Sequence, residues 1–106
     1  MSMYTIIETF DFQKKVKEIW SEDEKFEFFI YIATYPEAGV VIPGAGGLRK
    51  IRWSSSNKGK RAGARVIYYN ELQKGYIYLL DIYKKNLQEN IKSGKLKTLR
   101  RDIKCK

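Results

Sequence analysis

The chain has 106 residues, of which 43% are apolar and 14% aromatic, so we expect one folded domain over residues 1–106 rather than a disordered chain. No apolar run is long enough for a membrane span, and Met1–Glu8 lacks the features of a signal peptide. The one cysteine, Cys105, cannot form an internal disulfide, which fits a reducing compartment. We therefore expect a cytoplasmic protein with no membrane partner.

The net charge of +9 is unevenly distributed along the chain. Residues 1–48 hold 4 Lys/Arg against 8 Asp/Glu, whereas residues 49–106 hold 17 against 4, so the two parts carry −4 and +13. A strongly basic half attracts polyanions, of which nucleic acid is the commonest. The composition thus favours an RNA- or DNA-binding protein over a domain that is merely basic.

Histidine is absent, which removes the usual acid–base group near neutral pH and the usual zinc ligands. We expect neither a metal nor another cofactor. In an enzyme of this composition, proton transfers would fall to Lys, Tyr, Asp or Glu.

The first part of the chain predicts one strand and two helices. Tyr4–Thr9 is β-branched and aromatic, and Thr9 or Asp11 can cap the helix that follows. Ser21 and Glu24 have the spacing of a capping box for a second helix, which Pro36 ends. The apolar stripes expected on the two helices are Phe12, Val16, Ile19 and Trp20, then Phe26, Phe29, Ile30 and Ala33.

The second part predicts three strands and a terminal helix. The strands are Leu48–Ser54, Ala64–Asn70 and Gly75–Tyr83, and the helix beyond Ser93–Gly94 is marked by Leu96, Leu99 and Ile103. The glycine-rich Pro43–Gly47 lacks the spacing of a nucleotide-binding loop, which favours a connector. The fold class is α+β: an antiparallel sheet with two N-terminal helices packed on one face and a C-terminal helix.

The segment Leu48–Arg65 is the candidate site because it is dense in cations and has no acidic residue. Alternation along its strand predicts Lys50 and Arg52 on one face and Ile51 and Trp53 on the other. The cations are Arg49, Lys50, Arg52, Lys58, Lys60, Arg61 and Arg65. A solvated basic loop is the alternative interpretation.

Aromatic residues interleaved with these cations favour binding of unstacked RNA bases. They are Trp53, Tyr68, Tyr69, Tyr76, Tyr78 and Tyr83, and we expect two or three on the charged side. Tyr83 is the favoured candidate because Lys84 and Lys85 follow it directly.

The runs GGLRKIRW…KGKRAGARVIYY (Gly46–Tyr69) and IYLLDIYKKN (Ile77–Asn86) resemble the HigB-like branch of the RelE toxin superfamily. The resemblance covers roughly residues 4–103. It implies a toxin of a type II toxin–antitoxin system that cleaves messenger RNA on the ribosome. In that family the ribose 2′-hydroxyl attacks the adjacent phosphorus without a metal.

Carried over to this chain, the resemblance implies a catalytic set and a substrate-binding set. Lys58 and Lys60 match the lysines of proton transfer and phosphate binding, Arg61 and Arg65 match the phosphate clamp, and Lys85 matches a basic position after the last strand. The substrate-binding candidates are Arg49, Lys50, Arg52, Tyr83 and Lys84. Two departures are Lys85 where RelE has arginine, and Ile91 near the position of a base-stacking tyrosine.

The resemblance also implies partners and leaves alternatives. The partners are a HigA-like antitoxin with a DNA-binding domain and messenger RNA on the ribosome, and operator DNA is reached only through the antitoxin. The alternatives are a non-catalytic RNA- or ribosome-binding module and a ParE-like inhibitor of DNA gyrase.

Overall fold

The computed structural model describes residues 4–54, 63–84 and 93–104. In these residues, five strands form one sheet in the order β1-β5-β4-β3-β2, and helices cover both of its faces. The elements are β1 (Thr5–Glu8), α1 (Phe10–Ile19), α2 (Glu22–Thr34), β2 (Val40–Val41), β3 (Arg49–Trp53), β4 (Ala64–Glu71), β5 (Tyr76–Lys84) and α3 (Ser93–Lys104). The predicted α+β class and the placement of its helices are confirmed.

Two features of the sheet differ from the prediction. β1 pairs with β5 in parallel, so the sheet is mixed rather than wholly antiparallel. The helices α1 and α2 carry the chain from the β1 edge to the opposite edge, where β2 pairs with β3. β2 was not predicted, because its two residues, Val40 and Val41, are exposed and too few to show a period.

The helix starts follow the predicted capping residues. Thr9 caps α1, where its hydroxyl accepts a hydrogen bond from the Phe12 N–H at 3.2 Å. Ser21 and Glu24 form the capping box of α2, with bonds of 3.2 and 2.8 Å. None of the described helices is both long enough and apolar enough to cross a membrane.

The apolar stripe of α1 is as predicted, whereas that of α2 is only partly as predicted. Phe12, Val16 and Trp20 are buried, and Ile19 packs beside them. On α2, the predicted Phe29 packs against the core. However, Phe26 is 55% and Ile30 is 65% exposed, and the buried apolar residues are Phe28 and Ile32.

Part of the α2 prediction failed because apolar residues surround this helix, so that two different stripes fit the helical spacing. Tertiary packing selects between them. The Phe28 ring lies between Trp20 and Trp53, with ring centroids 5.3 and 5.5 Å away. Aromatic packing of this kind adds to the free energy gained by burial.

The two faces of the sheet are covered by different helices, and we call them the helix-pair face and the α3 face. On the helix-pair face, α1 and α2 pack on Ile51, Ala64, Val66, Tyr68, Ile77, Leu79 and Ile82. On the α3 face, Leu96, Leu99 and Ile103 pack with Leu48, Ile67, Tyr78, Leu80 and Tyr83. The sheet is therefore a central layer that is buried on both sides.

A β-bulge in β5 changes which residues face which side. Ile67 pairs with Asp81 and Tyr68 pairs with Leu79, so Leu80 is an extra residue on β5. Leu79, before the bulge, lies on the helix-pair face. The next β5 residue on that face is Ile82, so the two are separated by three positions instead of the usual two. Since side chains alternate with a period of two, the bulge shifts the phase by one residue and turns Tyr83 to the α3 face.

Polar contacts from α1 and its capping residue, Thr9, hold the bulge. The Asp81 carboxylate accepts hydrogen bonds from the Lys15 ammonium at 2.8 Å and from the Ile82 N–H at 3.0 Å. The Thr9 hydroxyl donates to the Leu80 carbonyl at 3.1 Å. The Asp81 side chain is 3% exposed, so these bonds satisfy a carboxylate that the fold removes from water.

We expect Asp81→Ala to lower the free energy of unfolding by roughly 1–3 kcal/mol, because the Ile82 N–H loses its acceptor in a buried position. Urea unfolding measures this loss, and Glu18→Ala, which removes an exposed carboxylate from α1, is the matched control. Hydrogen exchange of the β5 amides should quicken in Asp81→Ala. Equal stability of the two variants would show that Asp81 does not hold the bulge.

Candidate nucleic-acid interface

Several predicted site residues lie next to one another on the α3 face of the sheet. Arg52 of β3 pairs with Arg65 of β4, and Arg65 pairs with Tyr83 of β5. Directly paired residues share a face, so both guanidinium groups leave the same side of the sheet. Lys50 lies on this face as well, opposite Ile67. We call Lys50, Arg52 and Arg65 the cationic row.

The opposite side of β3 is apolar, as alternation predicts. Ile51 and Trp53 belong to the core beneath α1 and α2, whereas Arg52 is exposed on the α3 face. A cleft of about 430 Å³ runs along the β3 edge and is lined by Lys50, Arg52 and Arg65 together with residues of α2 and β2. Part of the cationic row is therefore open to an anion.

The segment that carries the other predicted catalytic residues joins the ends of β3 and β4. Trp53 and Ala64 are the last pair of these two strands, next to the pair Arg52 and Arg65. Lys58, Lys60 and Arg61 lie in the connecting segment, and Lys85 follows β5. These four residues lie outside the described residues.

Tyr83 is held in the core of the α3 face. Only 8% of its surface is exposed, in the same cluster as Leu96, Leu99 and Ile103 of α3. Burial raises the pKa of Tyr83, and the positive charge of Arg65 opposes this effect in part. The ring thus has little surface for stacking on a base, and its hydroxyl stays protonated beside Arg65.

Arg49 lies on the helix-pair face, away from the cationic row. Its guanidinium donates hydrogen bonds to the carbonyls of Gly39 at 2.8 Å and Glu37 at 3.4 Å, and lies 3.9 Å from the Glu37 carboxylate. It therefore fixes the segment between α2 and β2. Lys84, the pairing partner of Ala64, is exposed at the end of β5 and lies on the helix-pair face by alternation.

The buried Tyr68 hydroxyl also holds the segment between α2 and β2, through two hydrogen bonds. It donates a hydrogen bond to the Pro36 carbonyl at 2.9 Å and accepts one from the Gly39 N–H at 2.9 Å. Burial raises the pKa of Tyr68, chiefly because the charged form would lose its hydration. The turn that leads into β2 is thus positioned by β3 and β4, the strands that carry the cationic row.

Four of the six interleaved aromatics lie on the α3 face, one more than expected. They are Tyr69, Tyr76, Tyr78 and Tyr83. Trp53 and Tyr68 pack on the helix-pair face instead. In the described parts of the chain, His, Cys, Asp and Glu residues form no group of three that could hold a metal ion.

The sequence analysis did not predict two features of this site. One is the bulge at Leu80–Asp81, for which the signal in the sequence is the single acidic residue, Asp81, in an otherwise apolar and aromatic run from Tyr76 to Tyr83. The other is the basic side of α3, where Lys97, Arg100 and Arg101 have the i, i+3, i+4 spacing of one helix face.

No family model matches the chain. Among solved structures, it is similar to a double arginine-to-alanine mutant of the E. coli toxin RelE in the free state, with a TM-score of 0.61 and 16% sequence identity. The match covers 92% of this chain and 97% of the RelE chain. This chain has a RelE-like fold. At this identity, what is shared is the RelE-like arrangement of strands and helices.

In this RelE-like domain, the buried tyrosines predict how stability depends on pH. Tyr68 and Tyr83 have pKa values raised above 10.0 in the folded chain, so their contribution to stability is complete below pH 10. It is lost as the pH rises above that value, because the unfolded chain releases its tyrosine protons first. We therefore expect the urea concentration at the unfolding midpoint to decrease as the pH is raised from 9 to 11, since tyrosines in the unfolded chain ionise at about pH 10.

The variants Tyr68→Phe and Tyr83→Phe should each reduce this alkaline loss, because they remove one of the ionising groups. Tyr35→Phe is the matched control, since Tyr35 is 57% exposed. If the pH dependence is the same in all three variants and the wild type, the buried tyrosines do not cause it.

Proposed function

We propose that this chain is the toxin of a type II toxin–antitoxin system, of the HigB-like branch, and that it cleaves messenger RNA on the ribosome. The observation that carries the proposal is the pairing of Arg52 with Arg65 on one face of a RelE-like sheet. The strands that hold this pair are joined by the segment with Lys58, Lys60 and Arg61. One ribose-phosphate linkage is the ligand that such a set of cations would bind.

In the proposed reaction, the ribose 2′-oxygen attacks the adjacent phosphorus and the bond from phosphorus to the 5′-oxygen breaks. The products are a 2′,3′-cyclic phosphate and a 5′-hydroxyl, which takes up a proton. Lys58 and Lys60 are assigned the proton transfers. Arg61 and Arg65 stabilise the additional negative charge on phosphorus, and Lys85 supports them from the end of β5.

The predicted substrate-binding residues are assigned three roles: attraction of the RNA backbone, positioning of Arg65 and support of a neighbouring loop. Lys50 and Arg52 attract and orient the RNA backbone, because they are on the face of Arg65 and reach solvent. Lys84 adds positive charge at the end of β5. Tyr83 is assigned the positioning of Arg65 rather than base stacking, since its ring is buried. Arg49 is assigned the support of the segment before β2.

We expect Arg65→Ala to relieve the growth arrest that follows expression of this chain. It should lower the cleavage rate by roughly 100-fold, because the loss of one hydrogen-bond donor to the transition state has an effect of this size in other enzymes. Lys60→Ala should have a similar effect. Arg52→Ala, at an exposed position, should cost about tenfold or less, because surface charges contribute modestly. The measurement is mapping of transcript 5′ ends with growth curves.

Lys17→Ala is the control, since it removes an exposed charge from α1. A substrate with one 2′-deoxyribose at the mapped cleavage position should resist cleavage there. Cleavage of that substrate would exclude attack by the 2′-hydroxyl. Growth arrest without new 5′ ends would favour the non-catalytic RNA-binding module, and arrest with loss of DNA supercoiling would favour the gyrase inhibitor.

The charge of the chain supports a second part of the proposal, which concerns the partner. Residues 49–106 carry a net charge of +13, and an acidic antitoxin segment would neutralise it in the cytoplasm. We assign this role to a HigA-like antitoxin with a DNA-binding domain, through which alone the toxin would reach operator DNA. Co-expression with the neighbouring open reading frame should restore growth and yield a complex on affinity purification. Recovery of the chain alone would contradict this part.

A further inference from the structure

A second basic cavity lies at the far end of the α3 face, between the glycine-rich connector and α3. It has a volume of about 270 Å³ and is lined by Gly44, Ala45, Gly46, Lys97, Arg100 and Arg101. This volume is below that of typical pockets for drug-sized ligands, which is roughly 300–1,000 Å³. The size and the three cations suit one phosphate group with part of its sugar.

The connector lines this cavity with three consecutive residues, two of which are glycines. Gly44 and Gly46 have φ angles of 71° and 67°, in the left-handed region that favours glycine. The N–H of Ala45 is bonded within the loop, at 3.3 Å from the Ile42 carbonyl. The N–H groups of Gly44 and Gly46 have no acceptor among the residues that the structure describes. Free amides beside cations are typical of anion-binding loops.

Arg100 fixes α3 against the connector and remains able to bind an anion. Its Nε donates to the Gly46 carbonyl at 2.7 Å, and its Nη2 lies 3.3 Å from the Tyr69 hydroxyl. The guanidinium also lies over the Tyr69 ring, 4.4 Å from the centroid. Two of five N–H donors are thus used, which leaves three for a ligand.

Lys97 and Arg101 complete the cavity from the same side of α3. Both are exposed, and neither they nor Arg100 forms an ion pair with a carboxylate in the described part of the chain. Neighbouring cations repel one another, and a bound anion would relieve this repulsion. Phosphate fits better than carboxylate here, because backbone amides and guanidinium donors together match its several oxygens.

The cavity and the cationic row lie on the same face of one strand. Arg65 and Tyr69 of β4 are both on the α3 face, and Arg100 stacks on Tyr69. Four residues along a strand span ~13 Å. One strand of RNA could therefore reach both sites.

From this geometry we propose that Gly44, Gly46, Lys97, Arg100 and Arg101 form a second phosphate-binding site, which holds the RNA backbone away from the cleavage position. The proposal rests on the proposed function for its ligand, RNA. The site increases affinity and sets the direction of the strand relative to Arg65, but takes no part in breaking the bond.

The test is binding of a short single-stranded RNA with methylated 2′-hydroxyls, so that cleavage cannot occur. The double variant Lys97→Ala/Arg101→Ala should bind about tenfold more weakly, and the slope of log affinity against log salt should fall by about 1. Lys14→Ala/Lys17→Ala, which removes two exposed charges from α1, is the matched control. Equal affinity of the double variant and this control would overturn the proposal.

Arg100 is left intact in these variants because it also holds α3, so the fold is preserved. A second measurement uses inorganic phosphate alone, titrated against chloride at equal ionic strength. The amide resonances of Gly44 and Gly46 should shift in the wild type and not in the double variant. Unchanged resonances in the wild type would overturn the site.

Two further outcomes separate this proposal from others. If the double variant loses affinity for a glutamate-rich peptide but not for RNA, the cavity is a protein-docking site and the proposal is wrong. If the wild type cleaves no RNA but the double variant still loses RNA affinity, the proposed enzyme activity fails while the second phosphate site stands.

Discussion

The bulge at Leu80–Asp81 is the constraint that determines which side chains β5 presents to each face of the sheet. Without the extra residue, continued alternation along β5 would turn Tyr83 toward α1 and α2 and bring its neighbours to the α3 face. With it, Tyr83 lies beside Arg65, and Ile82 completes the core beneath the helix pair. Lys15 of α1 holds the carboxylate at the bulge, so the helix-pair face determines the arrangement on the other face.

The two faces of the sheet differ in the residues that they carry. The helix-pair face carries most of the aromatic packing, and its arginine, Arg49, is engaged with backbone carbonyls. The α3 face carries the cationic row at one end of β4 and the Arg100–Tyr69 contact at the other. Because a strand exposes alternate residues to each side, β4 can contribute to the core and to the charged face at once.

The sequence was sufficient to predict those features that depend on local patterns. The capping box of Ser21 and Glu24, the stripe of α1 and the opposite faces of Ile51 and Arg52 follow from spacing alone. The stripe of α2 could not be predicted, since apolar residues occur on all its sides and Trp20 and Trp53 decide which ring is buried. The bulge depends on contacts with a residue 66 positions away.

For the site itself, composition was enough to predict that cations cluster in Leu48–Arg65. The face of the sheet on which each cation lies depends on strand alternation and on the pairing of β3 with β4. Arg49 and Arg52 look equivalent in the sequence, yet strand alternation places one on each face. The basic side of α3 could not be assigned to a site from the sequence, because a solvated face is expected opposite the apolar residues of any amphipathic helix. Its position beside the connector depends on the contact between Arg100 and Gly46, which are 54 positions apart.

The paired arginines also represent a conflict between stability and binding. Like charges placed directly opposite one another in adjacent strands destabilise a sheet, and a neutral pair at Arg52 and Arg65 would avoid that cost. Under the proposed function, the same repulsion would favour binding of a polyanion, because the anion would neutralise the charges and stabilise the folded state by mass action. A sheet that is buried on both faces and held by the Lys15–Asp81 contact can tolerate the repulsion while no ligand is bound.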